Sequence, residues 1–176
     1  WAREDRALRR LIGLPVPATF GFQRRQANGI VEYLLRKSFI PGEPLTQLDA
    51  ETAGAMGALL GRIHARRVVT CDPSRANFIR APDGVLHFID FGRARTFFWQ
   101  TPLFLFYAGK DLARCYRTGV DSNPALWAPL EAAYFIALNP SPAAARFIRL
   151  CCRFWIRRQR KAAAPRPAAN APAPPR

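Results

Sequence analysis

Three side chains near the middle of the sequence have types and spacing that suit phosphoryl transfer. Asp72 is followed five residues later by Asn77, and thirteen positions beyond Asn77 stands the triplet Asp90-Phe91-Gly92. Phosphoryl transfer asks for little covalent help; it needs placed metal ions and a group that orients the acceptor hydroxyl. Asp72, on a loop, can accept the hydroxyl proton or hold the hydroxyl in line. Asn77 and Asp90 offer hard oxygen ligands, which suit Mg²⁺. Between them, residues 78–80, a Pro82-Asp83-Gly84 turn and residues 85–89 read as a hairpin, with both ligands at its open end. Phe91 is expected to pack beneath the site, and Gly92 to let the chain turn sharply. Each residue alone reads equally well as a cap or turn former. Their common register is what carries the chemistry.

The elements that must position this set can be read from the apolar pattern. Asp49 is expected to cap a helix running to about Arg66, with Met56, Leu59, Leu60 and Ile63 at helical spacing. Ala53, Gly57 and Gly61 on that helix permit close packing. Residues 68–70 form a short β-branched run leading to Asp72. Upstream, residues 3–12 read as a basic helix with Leu8, Leu11 and Ile12 on one face, stopped by Gly13, Pro15 and Pro17. Residues 18–22 and 29–39 read as two strands separated by a polar turn at 24–28, and Ile40-Pro41-Gly42-Glu43-Pro44 as a turn. Residues 101–161 are helical in character, with breaks near Gly119 and at Pro140 to Pro142. Residues 162–176 are almost wholly Ala, Pro, Arg and Asn, cannot bury enough surface to fold, and are expected to be a disordered tail.

With 176 residues, 49% of them apolar, the chain supports one domain with a real core. Its 27 basic against 12 acidic residues imply anionic company: nucleotide phosphates, a phosphorylated substrate or an acidic membrane surface. Nucleic acid is not expected, because charge is its only support and the arginines do not interleave with exposed aromatics. The four cysteines show no CxxC pair, and adjacent Cys151 and Cys152 read as buried thiols in a reducing compartment. The charged start lacks the apolar core of a signal peptide, and no run is long and apolar enough to span a bilayer. A cytoplasmic location is expected.

The Asp, Asn and Asp-Phe-Gly spacing resembles the catalytic and metal-binding motifs of protein kinases. Around it, Val16-Pro17, Ile40-Pro41-Gly42, Leu60-Gly61-Arg62-Ile63-His64, Asn77-Phe78, Phe88 to Arg95 and Lys110-Asp111-Leu112-Ala113 add detail. Over residues 1 to about 158 the chain resembles the small bacterial lipopolysaccharide core kinases, the heptose/Kdo kinase family of the protein-kinase-like superfamily. The resemblance implies an α+β, protein-kinase-like fold over residues 1–161. Residues 1–39 would be the remnant of a small lobe with a partial antiparallel sheet, and 40–161 the hinge and a mainly helical C-lobe.

It also implies ATP and Mg²⁺, with Asp72, Asn77 and Asp90 as the catalytic set and Asn77 and Asp90 as metal ligands. Phe91 and Gly92 would lie against the nucleotide site. Backbone groups around Ser38 and Ile40 would bond adenine, with Ile79 as its floor. Glu4 resembles the glutamate that pairs the nucleotide-binding lysine, and Asp111 the buried carboxylate that supports the catalytic loop. Arg75 has two readings, a contact to the γ-phosphate or a solvated loop arginine. His64 reads as a packed helix-end residue or a catalytic one, and Thr70 stands where these kinases carry a structural histidine.

The chain also departs from the pattern. No Gly-rich loop and no Val-Ala-x-Lys strand precede Glu4, so the chain is expected to be either a truncated enzyme, inactive in isolation, or a degraded relative that has lost these parts. No Ala-Pro-Glu element comes after Asp90, and residues 96–109 are too short and apolar for a long peptide-binding segment. The function these features imply is transfer of the γ-phosphate of MgATP to a hydroxyl of a lipopolysaccharide inner-core sugar, a glycolipid acceptor. The alternatives are an atypical serine/threonine protein kinase and a non-catalytic, pseudokinase-like binding module. Near the end, Phe147, Ile148, Leu150, Phe154, Trp155 and Ile156 accompany Arg146, Arg149, Arg153, Arg157, Arg158, Arg160 and Lys161. That mixture suits either peripheral contact with the anionic inner membrane or a final core helix with a solvated basic side.

Overall fold

The computed structural model describes residues 2–121 and 123–163. It is mixed α+β, built from five α-helices and three small antiparallel sheets among the described residues. Helix α1 (Ala2–Arg10) buries Glu4, Ala7 and Leu8, and Leu11 joins them in the core. Ile12 does not: the helix ends at Arg10, Gly13 takes φ +86°, and Ile12 is left exposed.

Strands β1 (Thr19–Ala27) and β2 (Ile30–Lys37) form a two-stranded antiparallel ribbon. The expected polar turn at 24–28 is mostly strand, since Arg24 pairs with Tyr33 and Arg25 with Glu32. Only Asn28 and Gly29 turn, at φ +51° and +76°, the two-residue Asn-Gly hairpin whose positive φ values these residues tolerate. The ribbon is largely exposed, and the polar run Gln23-Arg24-Arg25-Gln26 in β1 makes composition a poor guide to that strand's boundary. A lone hairpin is marginal in water. This one is tied to α1, through Thr19 Oγ1 donating to Asp5 at 2.7 Å and Lys37 Nζ donating to Glu4 at 2.8 Å.

The chain then enters β3 (Glu43–Pro44), which pairs with β5 (Phe78–Arg80), itself paired with β6 (Leu86–Phe88). Gly42 is required here. It sits at φ +135°, and a Cβ would fall on the carbonyl oxygen of Arg80 and within 2.9 Å of Ile79 Cγ2.

Helix α2 (Ala50–Ala65) starts as its sequence dictates, with Asp49 Oδ1 accepting from the Thr52 N–H at 2.7 Å. Its small residues let α4 (Trp127–Leu138) approach: a Cβ on Gly57 would overlap the Leu130 carbonyl, and one on Gly61 would lie 2.5 Å from that of Tyr134. Strand β4 (Val68–Val69) pairs with β7 (Arg95–Thr96), which draws the chain after Gly92 back beside the strand that leads to Asp72.

Helix α3 (Pro102–Cys115) is capped by Thr101 and runs on into a π-helical turn, Tyr116–Val120, near the predicted break at Gly119. Helix α4 ends on Asn139 in the left-handed conformation, with Pro140 next. Helix α5 (Pro142–Ala163) then packs on α3, where Gly109 leaves room for Ile148, Cys151 and Cys152. It includes the first two residues of the expected tail, and residues 164–176 lie outside the described residues. Cys151 and Cys152 are buried free thiols, as their apolar surroundings in the sequence suggest. Among the described residues, no helix is long and apolar enough to cross a membrane.

Candidate active site

The loop that carries Asp72 is held from below by one carboxylate. Asp111, fully buried on α3, accepts at Oδ2 from the Thr70 N–H (2.8 Å), the Thr70 hydroxyl (3.0 Å) and the Cys71 N–H (3.1 Å). Three donors on one oxygen define the approach to Asp72, and Cys71 is fixed at φ +66°, a conformation that a non-glycine residue keeps only when its surroundings enforce it. His64 completes the clamp. Its Nε2 lies 3.3 Å from Asp111 Oδ2 and its Nδ1 2.8 Å from the Tyr134 hydroxyl. The partners assign the tautomer: Nε2–H faces the carboxylate, so Nδ1 accepts from Tyr134. Burial and the nearby Asp111 push the Tyr134 phenol well above its ordinary value, so it stays a donor. His64 is therefore a packed helix-end residue, and Thr70 takes part in the support with its hydroxyl.

Above the clamp the three predicted residues come together. After the turn Arg75–Asn77, the Asn77 side chain donates from Nδ2 to the Asp72 carbonyl at 2.9 Å and lies 3.4 Å from Asp90 Oδ2. Asn77 and Asp90 flank the β5–β6 hairpin, whose open end is closed by the Ile89 N–H donating to the Asn77 carbonyl at 3.0 Å. Asp90 Oδ1 accepts from the Gly92 N–H at 3.0 Å. Gly92 and Arg93 make the expected sharp turn, closed by the Ala94 N–H donating to the Phe91 carbonyl at 3.0 Å, without a left-handed backbone at Gly92; a Cβ there would sit 3.4 Å from Asp90 Oδ1. Phe91 is fully buried beneath the pair, edge-on to Phe88 at 5.0 Å, with Phe78 next in the stack at 5.1 Å. The Asp72 carboxylate is anchored on one side, Oδ1 accepting from Arg114 Nε at 3.0 Å.

The remaining predicted residues are more scattered. The Ser38 N–H already donates to the Ala18 carbonyl at 2.8 Å, and its hydroxyl accepts from the Ala18 N–H at 2.9 Å. The Ser38 carbonyl and the backbone groups of Phe39 and Ile40, the Ile40 N–H among them, have no backbone partner among the described residues. Ile79 is buried under Gly42. Arg75 is half-buried, and its backbone N–H donates to Thr118 Oγ1 at 3.1 Å. Glu4 is buried and paired with Lys37, a partner on β2 that the sequence did not suggest. A cavity of about 810 Å³ beside β3 and the start of α2 touches none of Asp72, Asn77 and Asp90.

Asn77 Oδ1 and the Asp90 carboxylate supply oxygen donors of the kind Mg²⁺ prefers. With Nδ2 committed to the Asp72 carbonyl, Oδ1 is the Asn77 atom left to serve as a ligand. Among the described residues no cluster of three or more His, Cys, Asp or Glu could hold a metal by itself. The pair thus suits an ion that keeps waters and phosphate oxygens as its other ligands.

Sequence reasoning missed a second feature. Asp72 also lines a cavity of about 200 Å³ with Cys71, Arg93, Lys110, Arg114 and Gln159. No protein-family model and no curated protein matches the chain.

Proposed function

We propose that this chain carries the catalytic side of an ATP-dependent phosphotransferase with a protein-kinase-like fold, acting on a hydroxyl of a lipopolysaccharide inner-core sugar. The observation that carries the reading is the Asn77 side chain, which links the Asp72 carbonyl to the Asp90 carboxylate above a loop clamped by Asp111.

Arg114 fixes Asp72 Oδ1, which leaves Oδ2 to receive the acceptor hydroxyl and take its proton as the new P–O bond forms and the bond from the γ-phosphorus to the β–γ bridging oxygen breaks, releasing ADP. Asn77 and Asp90 would hold Mg²⁺, which when bound neutralises charge on the transferring phosphoryl group. The Ser38 carbonyl and Ile40 N–H supply an acceptor and a donor for adenine, with Ile79 beneath. Phe91, locked in the aromatic stack, keeps Asp90 from drifting.

Two features support a glycolipid acceptor. Only residues 97–101 separate β7 from α3, which leaves little chain for a peptide-binding platform. Helix α5, packed on α3 by one face, exposes Phe147, Leu150 and Phe154 beside Arg146, Arg153 and Arg157. That face suits peripheral contact with an anionic leaflet that holds the glycolipid.

The test is transfer of labelled γ-phosphate from MgATP to delipidated core oligosaccharide by the full-length gene product. Transfer lost in Asp72→Ala is expected. Label appearing on serine or threonine of the protein instead would redirect the reading to a protein kinase. Absence of both transfer and Mg²⁺-dependent nucleotide binding would overturn it in favour of a non-catalytic module.

A further inference from the structure

Asp72 faces two environments. Its carbonyl belongs to the Asn77–Asp90 side, whereas its carboxylate opens on the cavity of about 200 Å³ that contains neither of those ligands. Three cations, Arg93, Lys110 and Arg114, line that cavity against the single carboxylate of Asp72. Arg114 is partly satisfied by Asp72 itself at 3.0 Å. Lys110 and Arg93 have no hydrogen-bonded or ion-paired partner among the described residues. The Lys110 ammonium instead lies 5.2 Å from the centre of the Trp155 ring and 5.9 Å from that of Tyr107. Gln159 adds a buried amide oxygen that makes no hydrogen bond. Cations brought together in a concave, partly desolvated space attract an anion more strongly than the same charges spread over a surface.

We propose that this cavity is an anion subsite for the acceptor, holding a phosphate or carboxylate group that the acceptor sugar carries close to the hydroxyl presented to Asp72. The inference rests on the phosphotransferase reading for its account of why the anion lies there. Its direct support, the cations around the Asp72 carboxylate, is separate. Arg93 and Lys110 fix the charged group, Gln159 takes a neighbouring sugar hydroxyl, and Arg114 couples the bound anion to the orientation of Asp72. A neutral sugar would leave Lys110 and Arg93 unpaired, so the subsite selects for charge before it selects for ring stereochemistry.

The experiment is an NMR titration of the ¹⁵N-labelled chain with glucose 6-phosphate, glucuronate and glucose at constant ionic strength, monitoring the Arg93 and Arg114 Nε–H signals. Both anionic sugars are expected to shift these signals saturably, the two arms telling phosphate from carboxylate, while glucose does not. Lys110→Gln and Arg93→Gln should each weaken the anionic sugar about tenfold. Lys110→Arg should retain binding, and Arg25→Gln, exposed on β1, should leave it unchanged. Equal binding of glucose and its phosphate, or equal losses in Arg25→Gln and Lys110→Gln, would overturn the subsite. The phosphate-transfer assay with the full-length gene product reads the other proposal separately. Phosphate transfer without sugar discrimination sinks the subsite alone, and sugar discrimination without either transfer or Mg²⁺-dependent nucleotide binding by that product sinks the phosphotransferase reading alone.

Discussion

Asp111 Oδ2 accepts a hydrogen bond from the backbone N–H of Thr70 at 2.8 Å, across 41 positions of sequence, and both residues are fully buried. The bond joins the middle of α3 to the end of β4, so the loop bearing Asp72 inherits the rigidity of the helical core. Replacing Asp111 by Ala would strand the Thr70 and Cys71 donors together with the His64 imidazole. A buried network that loses one partner in this way costs about 3 kcal/mol or more. For a chain of this size that is a fall of roughly 6–12 °C in Tm. Asp111→Asn, which keeps one acceptor oxygen, should lose clearly less. Hydrogen exchange at the Thr70 and Cys71 amides should accelerate in Asp111→Ala more than at amides of α4; uniform acceleration would argue against a local clamp.

Two glycines on α2 should respond in opposite directions to the same substitution. Ala is favoured over Gly in a helix interior by about 1 kcal/mol. At Gly54 the nearest atom to an added Cβ is the Pro129 carbonyl oxygen at 4.0 Å, so Gly54→Ala should gain most of that preference. At Gly57 the Cβ would overlap the Leu130 carbonyl oxygen and lie 2.9 Å from its carbon. Forcing α2 and α4 apart costs about 1–3 kcal/mol, which exceeds the propensity gain. Urea unfolding of the two variants decides the matter: Gly57→Ala as stable as Gly54→Ala would refute the close approach.

Most of the α2 start and the β5–β6 hairpin was legible in the sequence because local chemistry decides it. Asp49 caps through a neighbour three positions on, Pro82-Asp83-Gly84 turns the hairpin, and Asn77 and Asp90 are brought together by that turn. The Asp111 clamp was legible only through family resemblance, since nothing local in α3 marks that residue as a loop support. The basic cavity was not legible at all. Arg93 lies on a loop, Lys110 and Arg114 on α3 and Gln159 on α5, and only the packing of α5 against α3 makes them neighbours. The Glu4–Lys37 pair escaped for the same reason, and the β1 boundary because exposed polar strands carry no apolar alternation.

Acid should weaken the start of α2 through Asp49. The Thr52 N–H that it accepts holds its carboxyl below the ordinary 3.8, with Arg80 adding a smaller pull. A folded pKa below the unfolded one means the stabilisation is complete above the ordinary value and is lost as pH falls through the folded pKa. Urea midpoints of wild type and Asp49→Asn, which keeps an uncharged cap, should differ by a constant amount above about pH 5 and converge below about pH 4. A difference unchanged down to pH 2 would contradict this.

Cys71, next to Asp72, should be a poor nucleophile despite its position. Burial pushes its thiol up to about 11, with the Asp111 carboxylate adding to the shift and Arg95 and Lys110 opposing it. The thiolate is the reactive form. At pH 8 only about one thiol in a thousand would be ionised, so iodoacetamide should label Cys71 far more slowly than a free cysteine. The rate should keep rising by about tenfold per pH unit towards pH 11. Rapid labelling at pH 7, or a plateau near pH 8.5, would show that the loop opens or that the thiol is not desolvated.

The metal role assigned to Asp90 has a consequence that a purely structural role would not share. Asp90 Oδ1 is tied to the Gly92 N–H at 3.0 Å, and Oδ2 lies 3.4 Å from Asn77 Nδ2. Asp90→Asn can preserve much of that geometry while removing the negative charge that draws Mg²⁺. MgATP affinity should therefore fall by about tenfold or more, which corresponds to at least about 1.4 kcal/mol. Binding of ATP with EDTA in place of Mg²⁺ should hardly change, or improve slightly as repulsion between carboxylate and phosphates is relieved. Asn77→Ala should show the same dependence on metal, since it removes the Oδ1 ligand, but should also loosen Asp72 by deleting the 2.9 Å bond to its carbonyl. Calorimetry with and without Mg²⁺ separates the outcomes. If both variants weaken nucleotide equally under the two conditions, Asn77 and Asp90 shape the loop and do not hold the ion.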